Sequence, residues 1–107
     1  MVAIDDSWDG REVTLAEGDT LEVTLPENPT TGFRWSLESN GEPVCLLVDS
    51  SFEPSGGPPG AGGRHHWRFA AVRPGQAHIA LTYGRPWAQA QRPSRTFAIT
   101  VRVTAKL

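Results

Sequence analysis

The chain has 107 residues, 38% of them hydrophobic and 21% charged, with a formal net charge of −2. That is enough for one domain, residues 1–107, with a core of its own, and it is too apolar and too weakly charged for a disordered segment. The ten basic residues are scattered and nearly all arginine, which argues against a nucleic-acid backbone as partner, and no apolar run approaches the ~20 residues that span a membrane.

In chain order, residues 1–10 are polar and end on the turn signal Asp9-Gly10, with Trp8 placed against a sheet edge. They carry neither the basic n-region nor the apolar h-region of a secretory leader. As written the chain would stay in the cytoplasm; export would need a leader ahead of Met1. Val13 and Leu15 alternate with Glu12 and Thr14, a first strand. After Glu17-Gly18-Asp19, Leu21, Val23 and Leu25 alternate with Glu22 and Thr24, a second, half-buried strand. Residues 26–32 follow. Pro26 and Pro29 fix their own φ and hold Leu25 and Asn28 extended, and Gly32 can take a positive φ, so Thr30 and Thr31 stand on a stiff, polar tip.

Phe33, Trp35 and Leu37 form the inner face of a third strand, which closes at Ser39-Asn40-Gly41. Residues 43–53 predict a fourth, with Val44, Leu46, Val48 and Phe52 on its inner side. Residues 54–63, Pro-Ser-Gly-Gly-Pro-Pro-Gly-Ala-Gly-Gly, are a long loop stiffened at Pro58 and Pro59. Trp67, Phe69 and Ala71 give a fifth strand; Ala77, Ile79, Leu81 and Tyr83 a sixth. A second long loop, residues 84–94, contains Arg85-Pro86-Trp87, and Phe97, Ile99, Val101 and Val103 complete a seventh strand. No stretch has sustained helical spacing. Seven strands of period two between turns predict an all-β antiparallel sandwich or barrel. With Cys45 the sole cysteine, it holds no disulfide within the chain, and the apolar run Val44-Cys45-Leu46-Leu47-Val48 predicts a buried, inert thiol.

In such a sandwich alternate connections emerge together. The loops 26–32, 54–63 and 84–94 then fall at one end and the short turns at Gly18, Gly41 and Pro74 at the other. One end is elaborated while the other is merely closed, which points to a binding face. Catalytic readings fare less well. His65 and His66 are adjacent on a strand and face opposite ways, with no cysteine or histidine at zinc spacing nearby, so they predict packing or solvated side chains and no metal site. The glycines of 56–63 lack the Lys-Ser/Thr and the helix of a phosphate cradle. The sequence offers no nucleophile–base pair, so it predicts no enzyme and no cofactor. Arg85 and Trp87, by contrast, are the residue types most enriched in interface hot spots, and Pro86 stiffens the pair.

Three stretches, Asn28-Pro29-Thr30-Thr31-Gly32-Phe33 with Trp35, Gly60-Ala61-Gly62-Gly63, and Leu81-Thr82-Tyr83 leading to Arg85-Pro86-Trp87, occur in this order along almost the whole chain. In them the sequence resembles the chagasin-like inhibitors of cysteine peptidases, inhibitor family I42. The resemblance implies an immunoglobulin-like sandwich, monomeric when free, whose three loops reversibly fill the active-site cleft of papain-like peptidases (clan CA, family C1). It would lay Thr30 and Thr31 across the catalytic cysteine. Pro59 and Gly60–Gly63 would run along the non-primed side, and Arg85, Pro86 and Trp87 would lie on the primed side. Members often carry bulky apolar residues just before the Gly-Ala-Gly-Gly stretch; here Pro58 and Pro59 stand there, which implies a shifted selectivity. The alternative at the same end is a non-inhibitory immunoglobulin-like binding or adhesion module, with Trp87 stacked on a sugar.

Overall fold

The computed structural model describes residues 1–28, 32–58, 62–85 and 95–106. Among these are eight strands: β1 (Val2–Ile4), β2 (Glu12–Ala16), β3 (Thr20–Glu27), β4 (Arg34–Asn40), β5 (Cys45–Pro54), β6 (Gly63–Ala71), β7 (Gly75–Gly84) and β8 (Arg95–Thr104), with one 3-10 turn at Asp6–Trp8. They build two four-stranded sheets, in the order β1-β3-β6-β5 and β2-β8-β7-β4. The sandwich matches the fold expected from the sequence, with one strand more than the seven counted there. The added strand, Val2–Ile4, is three residues long and too short to show a period.

The pairings follow from chain direction. Each connection reverses the chain, so odd-numbered strands run one way and even-numbered strands the other. Pairs of unlike parity are antiparallel: β3 with β6, β5 with β6, β4 with β7, β7 with β8. The pairs β1–β3 and β2–β8 share parity and are parallel. The expected antiparallel sandwich thus has one parallel pair in each sheet, a departure from simple hairpin connection. It arises because the first four strands alternate between the sheets, so their neighbours in space are not their neighbours in sequence. The same parity puts the connections after β1, β3, β5 and β7 at one end of the sandwich.

Period-two patterning sets the core. Leu21, Val23 and Leu25 of β3 and Phe97, Ile99, Val101 and Val103 of β8 point inward and are all but fully buried, together with Trp67, Phe69, Ile79 and Leu81. Cys45 is buried as expected, and its burial pushes the thiol pKa up from the ordinary value. The expected inner face of β5 is not found. Val44 is buried, but Leu46 is 41% and Val48 63% exposed. β5 is the outer strand of its sheet and carries a bulge between Leu47 and Asp49, which breaks the alternation on which the expectation rested.

At the plain end Gly41 closes the turn between β4 and β5 with φ +83°, and its carbonyl accepts from the Val44 and Cys45 amides at 3.0 and 2.9 Å. A Cβ there would stand 3.1 Å from Cys45 Cβ and 3.2 Å from Ile79 Cγ1. Gly41→Ala therefore destabilises the fold by about 1–3 kcal/mol through backbone strain. Thermal denaturation should show it as a fall in Tm of at least about 4 °C.

Candidate functional site

The strand registers bring together the feet of all three long loops. In one sheet Glu27 pairs with Gly63, and Gly63 with Pro54. In the other Arg34 pairs with Gly84, and Tyr83 with Arg95. These residues begin or end the connections 26–32, 54–63 and 84–94. Of the residues expected in the site, Asn28, Gly32, Gly62, Gly63 and Arg85 are described and stand at this end; Pro29, Thr30, Thr31, Pro59, Gly60, Ala61, Pro86 and Trp87 lie outside the described residues.

Glu27 is the buried polar or charged residue among those described, 4% exposed. It occupies the inward position of the row Leu21, Val23, Leu25, Glu27. A carboxylate there needs partners, since burying an unpaired charge is costly. It has two. Oε2 accepts from the Trp35 backbone N–H at 2.9 Å, and Oε1 lies 3.0 Å from Nδ1 of His65. A carboxylate can only accept, so Nδ1 donates. The ring's Nε2 lies 2.7 Å from Ser50 Oγ, and the imidazole stacks on Trp67 at 4.1 Å with the planes 4° apart. One chain of contacts thus runs from β5 through β6 and β3 into β4, crossing from one sheet to the other.

A second cluster joins the first loop to the third. The Trp35 indole N–H donates to the Pro26 carbonyl at 2.8 Å, and the Asn28 N–H donates to the Tyr83 hydroxyl at 3.0 Å. The Tyr83 ring lies 4.9 Å from Trp35 and 5.5 Å from Phe33. The guanidinium of Arg85 sits 4.7 Å above Phe33, and that of Arg95 5.7 Å from the Trp35 ring. Arg85, at the root of the third loop, is thereby held over the foot of the first.

The glycines have local reasons as well. Gly32 takes φ +83°, as its place after Thr31 predicts. Gly62 has φ +78° and accepts from Ser55 N at 3.0 Å; a Cβ on it would come within 3.0 Å of the Glu27 carbonyl oxygen and 3.2 Å of Asn28 Cβ. A Cβ on Gly63 would run into the Glu53 carbonyl oxygen. Gly62 thus lets the second loop lie against the first, and Gly63 lets the two legs of the second loop, β5 and β6, approach each other.

Glu27, Tyr83 and His65 are absent from the sequence-derived site. Position 27 continues the inward parity of 21, 23 and 25, and 83 that of 77, 79 and 81; that signal was there to use. His65 is a packing histidine, as expected, and it lies between Glu27 and Ser50. The contacts involved join residues 15 to 38 positions apart, which local patterning does not reach.

Tyr83→Phe keeps the ring and removes the hydroxyl. The loss of one hydrogen bond should lower stability by about 1 kcal/mol in urea denaturation. The Asn28 amide should exchange with solvent about tenfold faster while core amides are unchanged.

Comparison with known proteins agrees with this geometry. The profile of the chagasin family peptidase inhibitor I42 matches residues 14–101. Chagasin of Trypanosoma cruzi is 34% identical over 98 residues, covering 87% of this chain and 89% of that protein. Amoebiasin-1 of Entamoeba histolytica is 35% identical over 94 residues, covering 85% and 88%. The crystal structure of the cysteine protease inhibitor EhICP2 from Entamoeba histolytica superposes with a TM-score of 0.85 at 19% identity, covering 96% of this chain and 94% of that one, and so shares the fold. A sandwich of this topology, with the family's profile running over most of its length, identifies the chain as a member of the chagasin family of peptidase inhibitors.

Proposed function

We propose that this chain, acting as one domain over residues 1–107, reversibly inhibits papain-like cysteine peptidases by filling the active-site cleft with its three long loops. The observation that carries the reading is that the feet of all three loops stand at one end and are tied to one another through Glu27, Trp35 and Tyr83. A surface ordered beforehand loses little entropy when it binds. Three loops on such a base can cover on the order of 800 Å² of a partner, the size of a standard tight interface.

Thr30 and Thr31, between Asn28, Pro29 and Gly32, lie across the catalytic cysteine and meet it with backbone. Pro59, Gly60, Ala61, Gly62 and Gly63 lie along the non-primed side, where small residues permit backbone pairing. Arg85, Pro86 and Trp87 take the primed side, with Trp87 the apolar anchor. Pro58 and Pro59 supply no N–H and no bulky aliphatic chain, which disfavours peptidases that demand a large apolar residue there.

The family is one of inhibitors, not of enzymes. The order Ser50–His65–Glu27 is that of a hydrolase triad, but on this scaffold it joins strand to strand behind the loops. Cys45, the one thiol, is sealed in the core.

Titration against papain with a fluorogenic peptide should give stoichiometric, reversible inhibition. Trp87→Ala should weaken it by at least ~2 kcal/mol, the size of a hot-spot truncation, and leave Tm nearly unchanged. Absence of inhibition of every papain-like enzyme tried, at high micromolar inhibitor, would overturn the reading in favour of a non-inhibitory binding module.

A further inference from the structure

A segment laid across a peptidase's active site has to escape being cut. The base of the first loop shows how this one can. Its two legs belong to strands in different sheets, so no ladder joins them, yet two hydrogen bonds do: Trp35 N to Glu27 Oε2 at 2.9 Å, and Trp35 Nε1 to the Pro26 carbonyl at 2.8 Å. A third bond, Asn28 N to the Tyr83 hydroxyl at 3.0 Å, pins the outgoing leg to β7. Glu27 is in turn held by His65, at 3.0 Å. Every bond of the 28–33 connection therefore lies between two legs clamped to each other.

We infer that Glu27 and Trp35 are positioning residues that make the inhibitor resistant to cleavage by its own target, by holding the two sides of the first loop together so that a cut bond is resealed. The inference rests on the proposed inhibitory function. In the cut, the peptidase thiolate adds to a loop carbonyl carbon and the C–N bond breaks. The departing amine takes a proton from the enzyme's imidazolium, and a thioester joins enzyme and inhibitor. Two reactions can follow. Water can attack the thioester, giving a free carboxylate and a nicked inhibitor. Or the same amine can attack it, re-forming the peptide bond, releasing the thiolate and returning the proton to the imidazole. A linear peptide loses its amine fragment to solvent, so water wins. Here the amine-bearing leg is fastened at Trp35 to the leg that bears the thioester. A reactant held in place has an effective concentration that can far exceed the molarity of water, so resealing prevails.

The test uses the full chain as wild type, Glu27→Ala, Glu27→Gln and Trp35→Phe. Trp35→Phe keeps an aromatic ring beside Tyr83 and removes the indole donor. Glu27→Ala removes the acceptor for the Trp35 amide, and Glu27→Gln keeps an oxygen there. Each is incubated with a catalytic amount of active papain and followed by intact mass, by mapping of cut sites and by residual inhibition, with circular dichroism reporting the folded fraction. Wild type should inhibit lastingly and stay intact. Glu27→Ala and Trp35→Phe should inhibit at first, then lose inhibition as chains gain one water within 28–33, about tenfold faster for each clamp bond lost. Glu27→Gln should restore most of the resistance. General destabilisation would instead scatter cuts through the chain, and that pattern would overturn the inference. So would Glu27→Ala and Trp35→Phe variants that stay folded and as intact as wild type. If Glu27→Ala does not fold, Trp35→Phe and Glu27→Gln decide. A wild type that inhibits no papain-like enzyme removes the proposed function itself, whereas an inhibiting wild type with cleavage-resistant variants removes this inference alone.

Discussion

The end of the sandwich that carries the long loops is organised by a buried carboxylate. Glu27 sits where the alternation of β3 would place another aliphatic side chain, and it brings a charge into the top of the core. Such a group is tolerated only with partners, and the penalty for stranding it exceeds the net worth of the pairs it makes. The need for partners therefore constrains the geometry. Trp35 has to present its amide, His65 has to present Nδ1, and both conditions hold only if β3, β4 and β6 meet at one separation and one register. The aromatic rings of Trp35, Tyr83 and Phe33 then pack around the same point and carry the constraint to the third loop.

Strand parity explains why this matters at one end only. With reversal at each connection, the links after β1, β3, β5 and β7 share an end. The first of these, the 3-10 turn at Asp6–Trp8, is itself tied to the loop roots through Arg95, whose guanidinium lies 3.5 Å from Asp6 Oδ2 and also faces the Trp35 ring. Both groups of that ion pair are half exposed, so it contributes little stability; its use is orientation. At the opposite end Gly18, Gly41 and Gly75 close short turns with positive φ. The sheet edges are treated differently again. β5 leaves Leu46, Leu47 and Val48 exposed, and the bulge between Leu47 and Asp49 twists that edge away from strand-to-strand association.

The framework was legible in the sequence wherever one residue in two is apolar. β3, β7 and β8 could be placed from Leu21-Val23-Leu25, Ile79-Leu81 and Phe97 to Val103, because a two-residue period has one inward solution. Gly32 was legible because a stiff turn between Pro29 and a strand needs a positive φ. β1 was not, since Val2–Ile4 is too short for a pattern. The inner face of β5 was misassigned because a bulge shifts parity without leaving a mark on composition. The parallel pairs required knowing which sheet each strand enters, a long-range fact. For the site, the sequence placed Asn28, Gly32, Gly62, Gly63 and Arg85 at the loop end where they stand, whereas the residues beneath them could not be paired: Glu27 meets His65 38 positions away, and Asn28 meets Tyr83 across 55.

Why position 27 holds a charge follows from β4. Among the described residues that strand is the outer member of its sheet, with β7 on one side and no strand on the other. The Trp35 amide lies on the open side, because it donates to Glu27 and not to β7. Buried there without an acceptor, it would cost about 1–3 kcal/mol. A leucine at 27 would pack as well as Leu25 does and would leave that donor orphaned. A shorter acid would fall short by a methylene, and a lysine would set donor against donor. Glutamate reaches across from the facing sheet and supplies to β4 the acceptor that a neighbouring strand would have given. The same reach closes the base of the first loop, so satisfying one backbone donor and fastening the two legs of that loop are a single physical event.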